Sequence, residues 1–376
     1  MNGNASLSIL LVLAVLFLAA TNGANDNFKG VAALYGSGRA SYRVSLFWAS
    51  LATLAGSLCS VWFAHALLQA FTGAGLVPAS IALQTRFACA VAGGGAITVA
   101  LAAWRGLPIS TTHALIGALC GAGLVAVGTG VHFGTLGTTF LLPVLASPLV
   151  ALVLAAALTP PIRRWVARLA VADACVCVAP SIAATPANLG LHEVAVPSAL
   201  PARILIETQD WCRALDARPL WRWDAHGAAD ALLFLLGGTV SFARSLNDTP
   251  KIAALLVSAG ALRGHAQWAV GLVGPAMLIG GVIGARRVAR TLSHRITPLA
   301  LGAALAAGVT TSLLVGTASF DGLPVSTTHV SVGALAGTGL RGAGVDRRVL
   351  KAIGLSWLAT LPAGAAFGAV LYALLH

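Results

Sequence analysis

The sequence predicts an all-α membrane protein with about ten membrane segments, arranged as two inverted five-segment repeats. Three observations support this fold class. The 376 residues are 58% hydrophobic and only 9% charged, whereas soluble domains carry roughly 25% charged residues. Two short polar motifs each occur twice, in the same order. Most of the 23 Lys and Arg residues lie in alternate loops, as expected for the cytoplasmic side of a membrane protein.

The apolar runs are the candidate membrane segments. They lie at 7–34, 44–70, 84–104, 110–130, 137–160, 228–256, 266–285, 296–317, 325–340 and 352–375. The first run lacks a basic stretch before its apolar core, so we interpret it as a membrane helix rather than a cleaved signal peptide. The fourth and ninth runs adjoin Gly-Leu-Pro and several hydroxyl residues, which predicts re-entrant or broken helices at these two motifs.

The same segments define the domain organisation. Residues 1–160 form the first transmembrane repeat and residues 228–376 the second. Residues 161–227 join them as a proline-containing cytoplasmic linker, with one amphipathic piece at about 203–218. The basic loops place both termini outside the cytoplasm. Because each half has an odd number of segments, the second half enters the membrane in the opposite sense, as in many transporters.

The first repeated motif, Asn-Asp-x-x-Lys, places charge inside two predicted spans. It supplies Asp26 with Lys29 in the first half and Asp248 with Lys251 in the second. Ionised groups in hydrocarbon need a partner, a ligand or a water-filled cavity. Positions three apart share a helix face, so an ion pair is available in each half. A pair that only cancels charge is the plain interpretation, and a coupling site is the functional one.

Nearby residues extend this motif. Gly23 and Pro250 predict broken helices at both copies, which would free backbone groups for a ligand. Arg244 lies one helical turn before Asp248. It is either a further contact for an anion or a side chain that reaches to the membrane interface, and the sequence leaves both open.

The second repeated motif, Gly-Leu-Pro-x-Ser-Thr-Thr-His, predicts an anion site. Proline favours a helix start, and Ser and Thr are good N-caps. Free N–H groups and the helix dipole attract anions at such a start. Two helix starts that approach from opposite sides would hold one tetrahedral oxyanion, although ordinary capping is the plain alternative. The candidate ligands are Ser110, Thr111, Thr112, Ser326, Thr327 and Thr328.

The histidines that end this motif, His113 and His329, suggest Ser–His catalysis only superficially. No acidic residue is placed to orient either imidazole, and two mirrored copies do not suit one hydrolytic site. We therefore predict packed or hydrogen-bonded histidines and leave a proton relay open.

Together these motifs resemble the PiT family of inorganic phosphate transporters. Gly23-Ala24-Asn25-Asp26 is similar to its first Asn-Asp signature and Ser245-Leu246-Asn247-Asp248 to its second, and the Pro-x-Ser-Thr-Thr-His copies are similar to its hairpin motifs. We therefore add Asn25 and Asn247 to the candidate substrate ligands. The resemblance covers both halves and implies a secondary transporter. It also implies that the hairpin hydroxyls hold phosphate and that cations lie near the Asn-Asp motifs. Lys29 and Lys251 depart from the family pattern, which has asparagine there. Because an ammonium has no acceptor for Na⁺, we predict sodium-independent, proton-coupled transport.

The predicted function is therefore transport of inorganic phosphate across a cell membrane, the bacterial inner membrane, without enzymatic activity. A sulfate permease, a passive anion channel and an intramembrane hydrolase are the alternatives. We predict no metal or cofactor beyond a coupling H⁺ or Na⁺. The partners are phosphate and the lipid bilayer, and a homodimer is left open. The net charge of +12 is explained by membrane loops, so we predict no nucleic-acid partner.

Overall fold

The computed structural model describes residues 2–63, 68–69, 71–72, 75–135, 137–138, 142–169, 174–179, 203–208, 218–223, 225–259, 262 and 265–376. The chain folds into two compact units. One contains Met1–Ile162 and Leu232–His376, and the other contains Arg163–Ala231.

Helices account for nearly all of the larger unit. The first half has α1 (Asn2–Asp26), α2 (Ala32–Gly36), α3 (Tyr42–Phe63), α4 (Ala79–Ala82), α5 (Thr85–Arg105), α6 (Thr111–Val127), α7 (Phe133–Thr135) and α8 (Leu142–Leu169). The second half has α9 (Ala225–Ser258), α10 (Ala266–Gly284), α11 (Arg286–Arg290), α12 (Leu301–Phe320), α13 (Thr327–Leu340) and α14 (Arg347–Leu374). The described residues also include a 3-10 turn at Gly128–Gly130 and a π-helical turn at Thr291–Arg295.

Nine of the described helices are long and apolar enough to cross a membrane, so the chain is a multi-pass membrane protein. The predicted segment 325–340 is the exception, because α13 has only 14 residues. At about 1.5 Å per residue it is roughly 21 Å long, shorter than a hydrocarbon core of about 30 Å. The helix is therefore too short to cross the hydrocarbon core by itself, as its Gly-Leu-Pro motif predicts.

Both Gly-Leu-Pro motifs interrupt the helical structure. Gly106 ends α5 with φ 70°, and Gly322 follows α12 with φ 69°. This left-handed conformation favours glycine because it has no Cβ. An extended stretch then leads to the N-cap of the next helix in each half. We call the packed pair α5 and α6 hairpin 1, and the packed pair α12 and α13 hairpin 2. The predicted broken helices at these motifs are confirmed.

The Asn-Asp motifs differ between the halves. Helix α1 ends at Asp26 and the chain turns before α2, so the first predicted break is present. Helix α9 instead continues through Pro250 to Ser258, and the predicted break there is wrong. Proline removes one backbone hydrogen bond, and a helix buried among other membrane helices tolerates this loss.

The smaller unit contains a sheet where the sequence predicts only an irregular linker. Its strands are β1 (Ala174–Ala179), β2 (Arg203–Thr208) and β3 (Arg218–Trp223), in the antiparallel order β2-β1-β3. Valine in β1 and isoleucine in β2 favour extended backbone. The amphipathic piece expected at 203–218 begins as β2, and its residues 209–217 lie outside the described residues. Helix α8 also extends beyond the predicted boundary at 160, through two prolines.

Glycines allow the two halves to approach closely. A Cβ built on Gly117 or Gly121 of α6 would lie 2.2 or 1.9 Å from carbonyl oxygens of α14. In the second half, a Cβ on Gly333 or Gly337 of α13 would lie 2.4 or 2.3 Å from carbonyl oxygens of α8. These small-residue contacts are typical of membrane helices. We call α6 and α13, the helices that follow the Gly-Leu-Pro motifs, the inner helices of the hairpins. Each inner helix therefore packs against the last helix of the other half.

We expect Gly121→Ala to lower the free energy of unfolding by about 1–3 kcal/mol, because the new methyl group has no space against α14. Thermal unfolding in detergent measures this effect. Gly316→Ala is the matched control, since no atom lies within 4 Å of its Cβ position in α12. This control is expected to be neutral or slightly stabilising. Equal losses in both variants would contradict the assigned contact.

Candidate functional site

The tips of the two hairpins meet inside the larger unit. The Thr328 hydroxyl donates a hydrogen bond of 2.5 Å to the Ile109 carbonyl oxygen. The rings of His113 and His329 lie next to each other, with centroids 4.7 Å apart. The two copies of the second motif, 216 positions apart in sequence, therefore form one cluster.

All twelve predicted site residues are buried in this cluster or beside it, with no more than 4% of each exposed. The structure is therefore closed around them. They are Asn25, Asp26, Lys29, Ser110, Thr111, Thr112, Asn247, Asp248, Lys251, Ser326, Thr327 and Thr328.

Lys29 is surrounded by oxygen atoms from both halves. Its ammonium donates to the Asp26 carboxylate and to the Thr328 hydroxyl. It also lies 3.3 Å from the Ile109 carbonyl oxygen. The break after α1 places this side chain opposite the tip of hairpin 2. A buried ammonium is stable only when its three donors find such acceptors.

Lys251 has the corresponding environment in the second half. Its ammonium lies 3.5 Å from the Asp248 carboxylate, 2.9 Å from the Thr112 hydroxyl and 3.2 Å from the Val325 carbonyl oxygen. It also donates to the Asn247 side-chain oxygen. Each lysine thus contacts its own aspartate, the extended stretch of its own hairpin and a threonine of the other hairpin. This correspondence extends the sequence repeat to the contacts themselves.

Asn22 connects the two aspartates. Its amide nitrogen lies 3.1 Å from an Asp26 oxygen, 3.4 Å from an Asp248 oxygen and 3.0 Å from the Thr111 hydroxyl. The guanidinium of Arg244 lies on the other side of this amide, 3.3 Å from the Asn22 oxygen and 3.7 Å from the Asp248 carboxylate. The acidic groups of the two halves therefore share one polar network.

Arg244 is fully buried, with none of its surface exposed. The interpretation that it reaches the membrane interface is wrong, because its guanidinium is held inside by Asn22, Asp248 and the Thr53 hydroxyl, the last at 2.7 Å. Its Nε atom has no hydrogen-bond partner among the described residues.

The cluster has a surplus of positive charge. Within the described part of the chain it joins the basic side chains of Lys29, Lys251 and Arg244 to two carboxylates, those of Asp26 and Asp248. With all five groups ionised, its formal charge is +1. An uncompensated charge is costly in a buried site. A bound monovalent anion would neutralise it.

The hydroxyls of Ser110 and Ser326 cap the inner helices of the hairpins. Each accepts a hydrogen bond of 3.2 Å from a histidine N–H three residues later. The plain capping interpretation is therefore correct for these two oxygens. Each hydroxyl still has its own hydrogen to donate. The first N–H groups of a helix have no partner within it, so those of Thr111 and Thr327 remain available to an anion.

The two asparagines have different environments. Asn25 donates 2.9 Å to the Leu107 carbonyl oxygen and accepts 3.2 Å from the Ile109 N–H, so both ends of its amide hold hairpin 1. Asn247 accepts from Lys251, and its amide nitrogen has no partner among the described residues. Asn25 is a positioning residue in this structure, whereas Asn247 has a donor left for a ligand.

The histidines pack together as predicted from their lack of an acidic partner. Nδ1 of His329 lies 3.1 Å from the Val144 carbonyl oxygen, and its ring lies 3.8 Å from that of Trp357. Nδ1 of His113 has no partner among the described residues. In the described part of the chain, no carboxylate hydrogen-bonds to either imidazole. The geometry therefore gives no support to a Ser–His hydrolase.

Sequence reasoning missed Asn22 and Thr53. The repeat itself contains the signal for Asn22, since it stands four residues before Asp26 as Arg244 stands before Asp248. Thr53 has no such signal. It is an ordinary threonine in an apolar helix, and only the fold places it within hydrogen-bond distance of Arg244.

Comparison with known proteins decides the family. The model of the phosphate transporter family matches residues 22–368, which include both copies of both motifs. The chain belongs to this family. Its members are transporters rather than enzymes, and the resemblance seen in the four motifs is confirmed.

Individual relatives of this transporter agree with that assignment. It is 26% identical over 388 residues to a probable low-affinity inorganic phosphate transporter of Mycobacterium leprae, covering 100% of this chain and 80% of the relative. It is 40% identical over 108 residues to the low-affinity inorganic phosphate transporter PitB of Escherichia coli, covering 28% and 22% of the two chains. A solved structure titled the sodium-dependent phosphate transporter has the same fold, with a TM-score of 0.73, 21% identity and coverage of 98% and 99%.

Proposed function

We propose that this chain carries inorganic phosphate across a cell membrane, the bacterial inner membrane, and that proton rather than sodium coupling drives it. The observation that carries the proposal is the positive surplus of the buried cluster at the hairpin tips, in a chain of the phosphate transporter family. Its curated relatives are named inorganic phosphate transporters.

The proposed anion site lies between the starts of α6 and α13. The donors are four hydroxyls of the Ser-Thr-Thr segments, the free amide of Asn247 and the N–H groups at the two helix starts. The other two hydroxyls, of Thr111 and Thr328, already donate to Asp26 and Ile109 in the closed structure. Helix starts favour tetrahedral oxyanions because their N–H groups and dipoles point at the ligand. In a cluster of formal charge +1, a monovalent phosphate gives neutrality. Because the cluster is closed in this structure, transport requires the hairpins to open toward one side of the membrane at a time.

The proposal of sodium independence rests on the two lysines. Each ammonium lies among carboxylate, hydroxyl and backbone carbonyl oxygens. Oxygens of these kinds are also the ligands of a hard cation such as Na⁺. Lys29 and Lys251 therefore act as fixed cations. In a chain with uncharged residues at these two positions, a bound ion would take the place of each ammonium. The solved structure with the same fold is titled sodium-dependent. We therefore propose that the two proteins share a fold but differ in the ion that drives transport.

Phosphate is proposed over sulfate because phosphate keeps a P–OH donor near neutral pH, while sulfate has none. Asp26 supplies an acceptor 3.4 Å from the Thr111 hydroxyl. Asp248 lies beside Lys251, which contacts both hairpins through Thr112 and Val325. A carboxylate accepts from phosphate but repels sulfate. A sulfate permease remains the alternative, since both carboxylates are already paired with basic groups.

Phosphate uptake into proteoliposomes tests the coupling. With an inside-alkaline pH gradient and no Na⁺, labelled phosphate is expected to accumulate. An inward Na⁺ gradient at equal pH is expected to add nothing over an equal K⁺ gradient. Steep activation by Na⁺ at fixed pH would contradict the proposal.

Two further arms separate the alternatives in the same vesicles. An uncoupler is expected to abolish accumulation, whereas a passive channel would only equilibrate phosphate with or without it. Excess unlabelled sulfate is expected to leave uptake nearly unchanged. Strong inhibition by sulfate would favour the sulfate permease.

A further inference from the structure

A second basic site lies outside the buried cluster, in a cleft of about 550 Å³ between α1, α5, α10 and α11. Its volume is in the range of pockets that bind small molecules, about 300–1,000 Å³. The residues relevant here are Ala24, Trp104, Ile283, Arg286, Arg287 and Arg290.

One wall of the cleft is strongly basic. Arg286, Arg287 and Arg290 are all exposed and lie within about one helical turn. Among the described residues, no carboxylate lies within salt-bridge distance of any of the three. Guanidinium groups bind phosphate oxygens through paired N–H donors. This wall therefore fits a phosphate-bearing anion.

Next to the arginines the cleft is apolar and open. Ile283, near the end of the membrane helix α10, is 80% exposed, and Trp104, near the end of α5, is 64% exposed. In a multi-pass membrane protein such side chains face lipid, and tryptophan is enriched at the interface. The arginines begin directly after α10 ends at Gly284. The cleft therefore combines an acyl-chain surface with a headgroup surface at the boundary of the hydrocarbon.

We propose that this cleft binds the phosphate headgroup of an anionic phospholipid, with an acyl chain against Ile283 and Trp104. The basic loops predict that it faces the cytoplasm, where basic pockets between membrane helices recognise acidic lipids. The site adjoins hairpin 1, because Arg287 donates to the Trp104 carbonyl oxygen and the Thr291 hydroxyl donates 2.8 Å to that of Gly106. Lipid binding here does not depend on the proposed transport activity.

Lipid titration of the full chain in detergent, followed by native mass spectrometry, tests the proposal. Phosphatidylglycerol is expected to bind well above phosphatidylcholine, which has a neutral headgroup. The double variant Arg286→Gln/Arg290→Gln is expected to bind phosphatidylglycerol about 25-fold more weakly, because each arginine contributes a factor of roughly five. Arg286→Lys/Arg290→Lys keeps both charges and is expected to lose much less.

The control is Arg347→Gln/Arg348→Gln, which removes two exposed arginines at the start of α14, outside the cleft. It is expected to bind phosphatidylglycerol like the wild type, and an equal loss would overturn the proposal. Inorganic phosphate is added as a competitor in a further arm. Displacement of the lipid by millimolar phosphate would assign the cleft to free phosphate and overturn the proposal. Equal binding of phosphatidylglycerol and phosphatidylcholine would also overturn it.

Discussion

Lys29→Met is expected to reduce phosphate transport at least about 100-fold. The substitution leaves Asp26 buried without its cation and removes the ammonium that donates to Thr328, while Ile109 keeps the Thr328 hydroxyl as a donor. Breaking a buried ion pair by removing one partner costs about 3–5 kcal/mol, and each 1.36 kcal/mol is a factor of ten in rate or affinity. Initial rates of labelled phosphate uptake into proteoliposomes, at matched amounts of folded protein, measure the loss.

The third lysine of the chain provides the control. Lys351 is exposed in α14, so Lys351→Met removes the same charge without touching the cluster and is expected to transport normally. Lys29→Asn supplies a carbonyl oxygen where the ammonium was. If the lysine stands in for a bound ion, this variant is expected to recover part of the uptake in NaCl but not in choline chloride. Recovery that is equal in both salts would contradict the substitution of lysine for sodium.

Much of this fold could be predicted because a bilayer permits few solutions. Apolar runs of span length must be helices in hydrocarbon, and Gly-Leu-Pro before Ser-Thr-Thr predicts a helix start from local chemistry. The unbroken α9 could not be predicted from Pro250 alone, since neighbouring helices determine whether a missing backbone bond is tolerated. The sheet of the smaller unit was equally hard to foresee, because each of its strands has only six residues.

The candidate site was predictable in its members but not in its pairing. Repetition identified Asp26 and Lys29 with their counterparts. Helix spacing predicted a contact within each pair, and in the first half that contact forms across the turn after α1. The exchange of threonines, Thr328 to Lys29 and Thr112 to Lys251, depends on how the hairpin tips meet. Loop charge predicts that the halves are inverted, and that orientation stays a prediction. Neither the sequence repeat nor the loop charge gives a distance between side chains.

Arg244→Met is expected to weaken phosphate binding about 100-fold. The two halves differ at Arg244, because the equivalent position in the first half is the neutral Asn22. It provides the surplus positive charge of the cluster, and its Nε has no partner among the described residues. A charge-assisted hydrogen bond contributes about 1.5–3 kcal/mol, and the loss of net charge adds to this. Equilibrium binding of labelled phosphate to purified protein in detergent measures the change.

A double variant distinguishes an anion ligand from a residue that only neutralises Asp248. Arg244→Met leaves Asp248 without one of its two cations, the other being Lys251. Adding Asp248→Asn removes that unpaired charge, so the double variant is expected to regain thermal stability relative to Arg244→Met. Phosphate binding is expected to stay about 100-fold below that of Asp248→Asn alone, because the guanidinium itself is missing. If binding recovered together with stability, Arg244 would be a structural counter-ion and the anion site would depend on the two lysines.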